Sequence, residues 1–259
     1  MLFINTRPAE RAQPLTEALQ SLGVGVLELP LLQLQALTLT AELQAQFSQL
    51  ALVHVVVVVS PMAVEVGIRY LQQLGISINS LAHLTWIAVG QGTAQCLQAY
   101  GIESQVPEIE NSEGMLQIEA LKQLPSAAKI AFWRGIGGRQ FMMEHLTKAG
   151  HEILNMLLYR RICPETTQLQ FAAGIDQMQQ ATALWVLISS EASWLNWLRL
   201  LADRSDLLQQ AQYWTLGERL TTVLQDYAQQ QKIHLNMKRI EYLNTDYLLE
   251  MVRLEIGLI

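Results

Sequence analysis

The stretch RGIGGRQFMMEHLTKAGHEILNMLLYRR, Arg134–Arg161, decides how the chain is read. It follows AKIAFW, an apolar run with the character of a buried strand. Gly135, Gly137 and Gly138 permit a sharp turn where that strand ends. From Arg139 onward, Phe141, Met142, His145, Leu146 and Ala149 recur at helical spacing, and Gly150 supplies a helix stop. A second apolar run, Ile153–Leu158, ends in Tyr159-Arg160-Arg161. Strand, glycine turn, helix and strand make one βαβ unit. Ligands of such units collect at the carboxyl ends of the strands, where Arg134, the glycines and Tyr159 all fall.

The same alternation runs outward in both directions. Leu2–Asn5 reads as a short strand, and Thr6-Arg7-Pro8 opens a helix that stops at Gly23 before a strand at Val24–Leu29. His54–Val59 is the most strand-like run, and Ser60-Pro61 leads it into a helix at Ala63–Leu74. Thr85–Val89 is a strand, and Gly90-Gln91-Gly92-Thr93 opens the next helix. Gln105–Ile109 reads as a short strand, and Asn111-Ser112-Glu113-Gly114 caps a helix at Met115–Leu124. Further on, Leu184–Ile188 is a strand ending in Ser189-Ser190, with a helix at Trp194–Ala202. Tyr213–Leu216, the helix at Leu220–Ala228, a weak strand at Ile233–Met237 and a helix capped by Asn244-Thr245-Asp246 complete the chain. Strands and helices alternating at these lengths predict parallel α/β architecture.

The halves also match each other. Arg7 and Arg134, like Gly23 and Gly150, are 127 positions apart. VVVVVSPMAVEV resembles LWVLISSEASWL, WIAVGQGTAQCLQAYG resembles YWTLGERLTTVLQDYA, and NSEGML resembles NTDYLL. These pairs, in one order at nearly constant spacing, indicate an internal duplication and two similar domains.

Composition narrows the function classes. The 259 residues are 51% hydrophobic and 15% charged, enough to bury substantial cores. A net charge of −6 argues against a broad nucleic-acid surface. An acidic ligand therefore needs local arginines and backbone N–H groups, because the overall field repels it. The two cysteines, Cys96 and Cys163, form no CxxC pair and do not cluster with the five histidines at zinc spacing, so no metal site is expected. The opening MLFINTRP meets Arg7 before a signal-type apolar region develops, and Val55–Val59 is too short to span a bilayer. The expectation is a soluble, cytoplasmic protein with no nucleic-acid or membrane partner.

With these motifs in hand, the chain resembles the uroporphyrinogen-III synthase family over nearly its full length. The resemblance rests on Thr6-Arg7-Pro8, SPMAV at Ser60–Val64, AVGQGTA at Ala88–Ala94, NSEGML at Asn111–Leu116, RGIGGR at Arg134–Arg139 and LLYRR at Leu157–Arg161. It implies two flavodoxin-like parallel-sheet domains joined by two crossing connectors. One domain would comprise residues 1–32 with 168–259 and the other 41–159, with 33–40 and 160–167 as connectors and the active site in the cleft between domains. The implied activity is that of a cyclising hydro-lyase of haem biosynthesis. Hydroxymethylbilane is closed to uroporphyrinogen III with loss of water and inversion of the terminal pyrrole ring. No metal or organic cofactor is implied, and GIGGRQ is not the dinucleotide-binding fingerprint. The implied state is a monomer in transient contact with hydroxymethylbilane synthase.

A substrate rich in carboxylates calls for anion anchors and a folded pose more than for a strong base. Helix N-termini after strands present free N–H groups, and Ser60, Thr93, Ser112, Ser189 and Thr245 fall at such places. Arg7, Arg134 and Arg139 are suited to bidentate pairing with carboxylates, and Gly135 joins them at the strand end. By resemblance, Thr93 matches the threonine of the family's G-x-x-T-A turn, and Tyr159 matches a tyrosine able to donate to the departing hydroxyl. Thr93 and Tyr159 are thus the expected catalytic pair. The second copy has Leu220 where the first has Thr93. That departure sets up the alternative, a non-catalytic relative that binds a tetrapyrrole or another anion.

Overall fold

The computed structural model describes residues 1–109, 112–138, 140–202 and 204–258, and the backbone alone of Ser112. No helix among them is long and apolar enough to cross a membrane. The described strands are β1 (Leu2–Asn5), β2 (Gly25–Glu28), β3 (Gln33–Ala36), β4 (Val55–Val58), β5 (Thr85–Ala88), β6 (Lys129–Gly135), β7 (Glu152–Ile162), β8 (Leu184–Ile188), β9 (Gln212–Leu216) and β10 (Asn236–Ile240). The described α-helices are α1 (Ala9–Ser21), α2 (Ala41–Ser48), α3 (Pro61–Gln73), α4 (Gln91–Gln98), α5 (Ser112–Met115), α6 (Glu119–Lys122), α7 (Phe141–Lys148), α8 (Glu165–Gln180), α9 (Glu191–Leu201), α10 (Ser205–Gln210), α11 (Gly217–Gln231) and α12 (Thr245–Glu255).

The chain divides into two compact units, Met1–Gln33 with Ile162–Ile259, and Leu34–Arg161. The first is built on a sheet of order β10-β9-β8-β1-β2 in which every neighbouring pair is parallel. Renumbered by first appearance within that unit, this is the flavodoxin order 2-1-3-4-5. Phe3 accordingly pairs with Val26 and Trp185 and not with the valine strand.

The second unit's sheet has the order β3-β7-β6-β4-β5, with β5–β4, β4–β6 and β6–β7 parallel. The duplication maps onto these sheets strand for strand. The sequence pairs β1 with β6, β2 with β7, β8 with β4, and β9 with β5, and β9-β8-β1-β2 in one sheet corresponds to β5-β4-β6-β7 in the other. The counterpart of β10 shrinks to one parallel bridge, Ile87 to Gln105, and Pro107, which has no N–H to donate, falls where pairing would continue. The expected strand at Gln105–Ile109 is therefore not formed.

Burial on both faces explains why the strands read as continuous apolar runs. In β4, Val56 and Val58 join Phe47, Val64, Trp86 and Trp133, whereas Val55 and Val57 join Ile130, Phe132, Met142 and Met143. Phe3, Trp185 and Trp214 fill one face of the other sheet, and Ile4, Val186, Trp194 and Trp197 the other. All six tryptophans are buried, as their apolar neighbours suggest. Helix α3 lies so close to its sheet that a Cβ on Gly67 would sit 2.2 Å from Trp133 Cζ3, so this position tolerates only glycine without rearrangement.

Elsewhere the elements depart from expectation for local reasons. The segments read as connectors carry regular structure: residues 33–36 form β3, β7 extends through Ile162, and α8 begins at Glu165. β7 is long because it lies between two strands, β6 and β3. The helix expected over Met115–Leu124 is two short ones. Gln117 N donates to Gly114 O and Ile118 N to Met115 O, and these i to i+3 bonds close the first after one turn. The strand expected at Ile233–Met237 begins later because α11 ends in a left-handed cap at Lys232, and Ile233 N still donates to Ala228 O.

Candidate active site

The site follows from an irregularity in the β6–β7 ladder. Arg134 pairs with Leu157, but Gly135 pairs with Tyr159, so the register skips Leu158. The freed carbonyl of Leu158 accepts from Leu37 N at 2.9 Å instead. Such a bulge re-aims the side chains around it. Here it lays the Tyr159 ring across Gly135, where a Cβ would come within 2.6 Å of Cε2 and 2.7 Å of Cζ. The ring is also tied to Ser60, whose Oγ donates to the phenol oxygen at 2.9 Å. Ser60 is at the same time the N-cap of α3, accepting from Ala63 N at 3.2 Å. With Ser60 as donor, the phenol's own proton is free to be given elsewhere.

Tyr159 is one wall of a cavity of about 180 Å³ at the carboxyl ends of β4–β7. Val59, Val89 and Phe132 line it from the sheet, and Met115, Met142 and Met143 from the helices. Its polar lining comes from Arg134, Arg161, Tyr159 and the glycine turn. Arg134 is only 6% exposed. Its Nη2 donates to the carbonyls of Gly137 and Gly138, and its Nη1 lies 3.4 Å from Met143 Sδ. Burial pulls its pKa below the ordinary guanidinium value, with a smaller opposing contribution from Tyr159. Among the described residues no carboxylate lies within ion-pair distance of Arg134, and none lines the cavity. Arg161 is exposed at the strand end, with its guanidinium carbon 6.0 Å from the Tyr159 ring centroid.

Of the residues singled out from sequence, Ser60, Arg134, Gly135 and Tyr159 are brought together here. Thr93 is not among the residues lining the cavity; it is 5% exposed in the first turn of α4, with its N–H already given to Gly90 O. Arg139 lies outside the described residues, and of Ser112 only its place at the start of α5 is described. In the other unit, Arg7 follows β1 half-buried, and burial first and Arg11 second lower its pKa. Ser189 does not cap α9. The cap is Ser190, whose Oγ accepts from Ser193 N at 3.1 Å, because β8 runs through Ile188 and leaves Ser189 as the link, just as Val59 links β4 to Ser60. Likewise Thr245 is the first helical residue of α12, and the cap is Asn244.

Sequence reasoning missed Arg161 and the methionines. Arg161 had a readable signal, since residues two apart on a strand share a face and Tyr159 was already singled out. The methionines had none beyond their place on helices, since they also pack into the core. Among the described residues no group of three or more His, Cys, Asp or Glu is placed to hold a metal ion.

Fold and site together define a class: duplicated parallel α/β units with an apolar, arginine-bearing cavity at the carboxyl ends of one sheet. A sequence model described as uroporphyrinogen-III synthase HemD matches residues 13–234, and the chain belongs to that family. The family places it in porphyrin biosynthesis. Among solved structures, a mutant uroporphyrinogen III synthase from Thermus thermophilus matches at 15% identity and a TM-score of 0.63, covering 100% of this chain and 99% of that one. The uroporphyrinogen-III synthetase of Helicobacter pylori 26695 matches at 13% identity and a TM-score of 0.58, over 98% of each chain. At these identities the likeness is one of fold.

Proposed function

We propose that the chain catalyses the uroporphyrinogen-III synthase reaction, closing hydroxymethylbilane to uroporphyrinogen III. The terminal C–O bond breaks, the pyrrole nitrogen lone pair supplies the electrons, and the oxygen leaves as water. The resulting methylene cation is attacked by the substituted carbon of the last ring. The bond from that carbon to its original bridging methylene then breaks, and that methylene bonds the ring's other, unsubstituted α-carbon, so the ring is inverted. The proton on that carbon is lost as the pyrrole regains aromaticity. Tyr159 offers its phenol proton as a hydrogen bond to the departing oxygen. Arg134 anchors one substrate carboxylate. In this reading the protein works as a cytoplasmic monomer without a cofactor and receives its labile substrate by transient contact with hydroxymethylbilane synthase.

Arg134 carries the proposal. A guanidinium taken out of water without a carboxylate partner is costly unless an anion completes it. The carbonyls of the Gly137–Gly138 turn satisfy its hydrogen bonds but not its charge. A substrate carrying many carboxylates supplies that counter-charge. The test is to give the purified chain hydroxymethylbilane made in place by the preceding deaminase, and to separate the oxidised products as type I and type III isomers. Type III above the spontaneous background is expected; type I alone at the spontaneous rate overturns the reading.

A second reading, a binding relative without turnover, follows if turnover needs a threonine at the Thr93 turn in both copies. Leu220 is 4% exposed in the core of its unit, and the neighbouring Thr221 hydroxyl is engaged with Thr215 Oγ1 and Gly217 O, so no threonine of the second copy replaces Thr93. The isomer assay separates the two.

A further inference from the structure

The cavity has two guanidinium groups of different kinds. Arg134 is buried at its wall and already oriented by the glycine turn. Arg161 is exposed at its mouth, on the same face of β7 as Tyr159. Among the described residues neither is within ion-pair distance of a carboxylate. The remaining lining is apolar and rich in sulfur, a surface that suits the face of an aromatic ring.

Size decides what fits. Pockets that enclose a whole drug-sized ligand run to roughly 300–1,000 Å³. At about 180 Å³ this cavity admits one small ring and one short arm, not a linear tetrapyrrole. A second arm on that ring must stay at the mouth, where Arg161 stands.

We propose that the cavity is a subsite for a single pyrrole ring bearing two carboxylate arms, with Arg134 binding the inner arm and Arg161 the outer one. The proposal rests on the reading of the chain as a tetrapyrrole-binding member of its family, and it assigns to Arg161 a role in choosing rings by their second charge. Arg134 sets the affinity for any carboxylate, and Arg161 discriminates a two-armed ring from a one-armed ring. The exposed group is the weaker of the two because solvent screens it.

Binding is measured by titration calorimetry on the full chain. The probes are a monopyrrole carrying one acetic and one propionic acid arm, and its two monomethyl esters. The diacid is expected to bind, with Arg161→Gln weakening it roughly tenfold, the loss of one charge-assisted contact. For one of the esters, Arg161→Gln should change nothing, because the outer charge is already gone. Arg134→Gln should weaken all three probes, with its fold checked by circular dichroism; Arg161 is exposed, so its variant carries the test if Arg134→Gln fails to fold. Absence of diacid binding to the unaltered chain overturns the proposal, as does an Arg161→Gln effect that is nil for the diacid or equal for all three probes. Because these titrations need no turnover, they stand apart from the isomer assay. Diacid discrimination without type III product sinks the catalytic reading alone, and type III product without discrimination sinks this one alone.

Discussion

Replacing Gly135 by alanine asks whether the position of Tyr159, and not merely its presence, matters. The new Cβ would lie 2.6 Å from Tyr159 Cε2, against an ordinary contact that begins at 3.4 Å, so the ring must retreat by about 0.8 Å. A shift of that size directed along the Ser60–Tyr159 hydrogen bond, now 2.9 Å, would stretch it to about 3.7 Å, beyond bonding range. Overpacking of this kind costs about 1–3 kcal/mol, and the lost bond adds about 1 kcal/mol. A positional error near 1 Å in a reacting group can cost on the order of a hundredfold in rate. Gly135→Ala is therefore expected to fold, to melt a few degrees lower, and to form type III isomer about a hundredfold more slowly. The double variant Gly135→Ala/Tyr159→Phe should be little slower than Gly135→Ala alone, because both changes act through one hydroxyl. If Gly135→Ala melts lower yet keeps its rate within about twofold, ring placement is irrelevant to turnover and the account of the bulge fails.

Ser60→Ala removes both the cap of α3 and the bond to Tyr159, and should cost about 1–2 kcal/mol in chemical denaturation while slowing turnover. Gly67→Ala forces Trp133 away from α3 and should destabilise the protein by about 1–3 kcal/mol, visible in tryptophan fluorescence melts, with the isomer ratio of the folded fraction unchanged. Burial pushes the thiol pKa of both Cys96 and Cys163 upward, with Glu65 adding to the effect at Cys96. Less thiolate is then present at mildly alkaline pH, so iodoacetamide should label both half-buried thiols more slowly than a free thiol, and equal rates would contradict the upward shift.

The parallel α/β class and the duplication are carried by patterns that sequence displays, apolar runs buried on both faces and glycine or serine at strand ends, whereas the flavodoxin-like arrangement of each domain is implied by the resemblance to the family. What stayed hidden depends on contacts between distant segments. Nothing in RGIGGRQ or LLYRR shows that the ladder skips Leu158, whose carbonyl accepts from Leu37 N, just beyond β3 and more than a hundred positions away in the chain. Arg134 was legible as a carboxylate anchor but its burial was not, because the cavity around it is lined by methionines from two helices. Cap positions slipped by one residue at Ser189 and Thr245, because adjacent serine, asparagine and threonine residues are equally able to cap and the strand's end decides between them.

The two copies also rank the expected catalytic pair. Thr93 and its counterpart Leu220 are both almost wholly buried, each in the first turn of a helix that follows a strand. A site filled by threonine in one copy and leucine in the other, at similar burial, behaves as a packing position. The Thr93 N–H is already given to Gly90 O, so it is not available to a carboxylate, and its side chain is not among those lining the cavity. Tyr159 differs on each count: it lines the cavity, its ring is fixed by Gly135 and Ser60, and its proton is free. Tyr159→Phe should thus lower the rate of type III formation by about a hundredfold, the low end for a lost proton donor. Thr93→Ala should cost less than about threefold in rate, its effect falling instead on stability through a small buried cavity. Single-turnover kinetics on both variants checks the order. If Thr93→Ala proves as slow as Tyr159→Phe while melting normally, the threonine meets the substrate directly and the cavity is only part of the site.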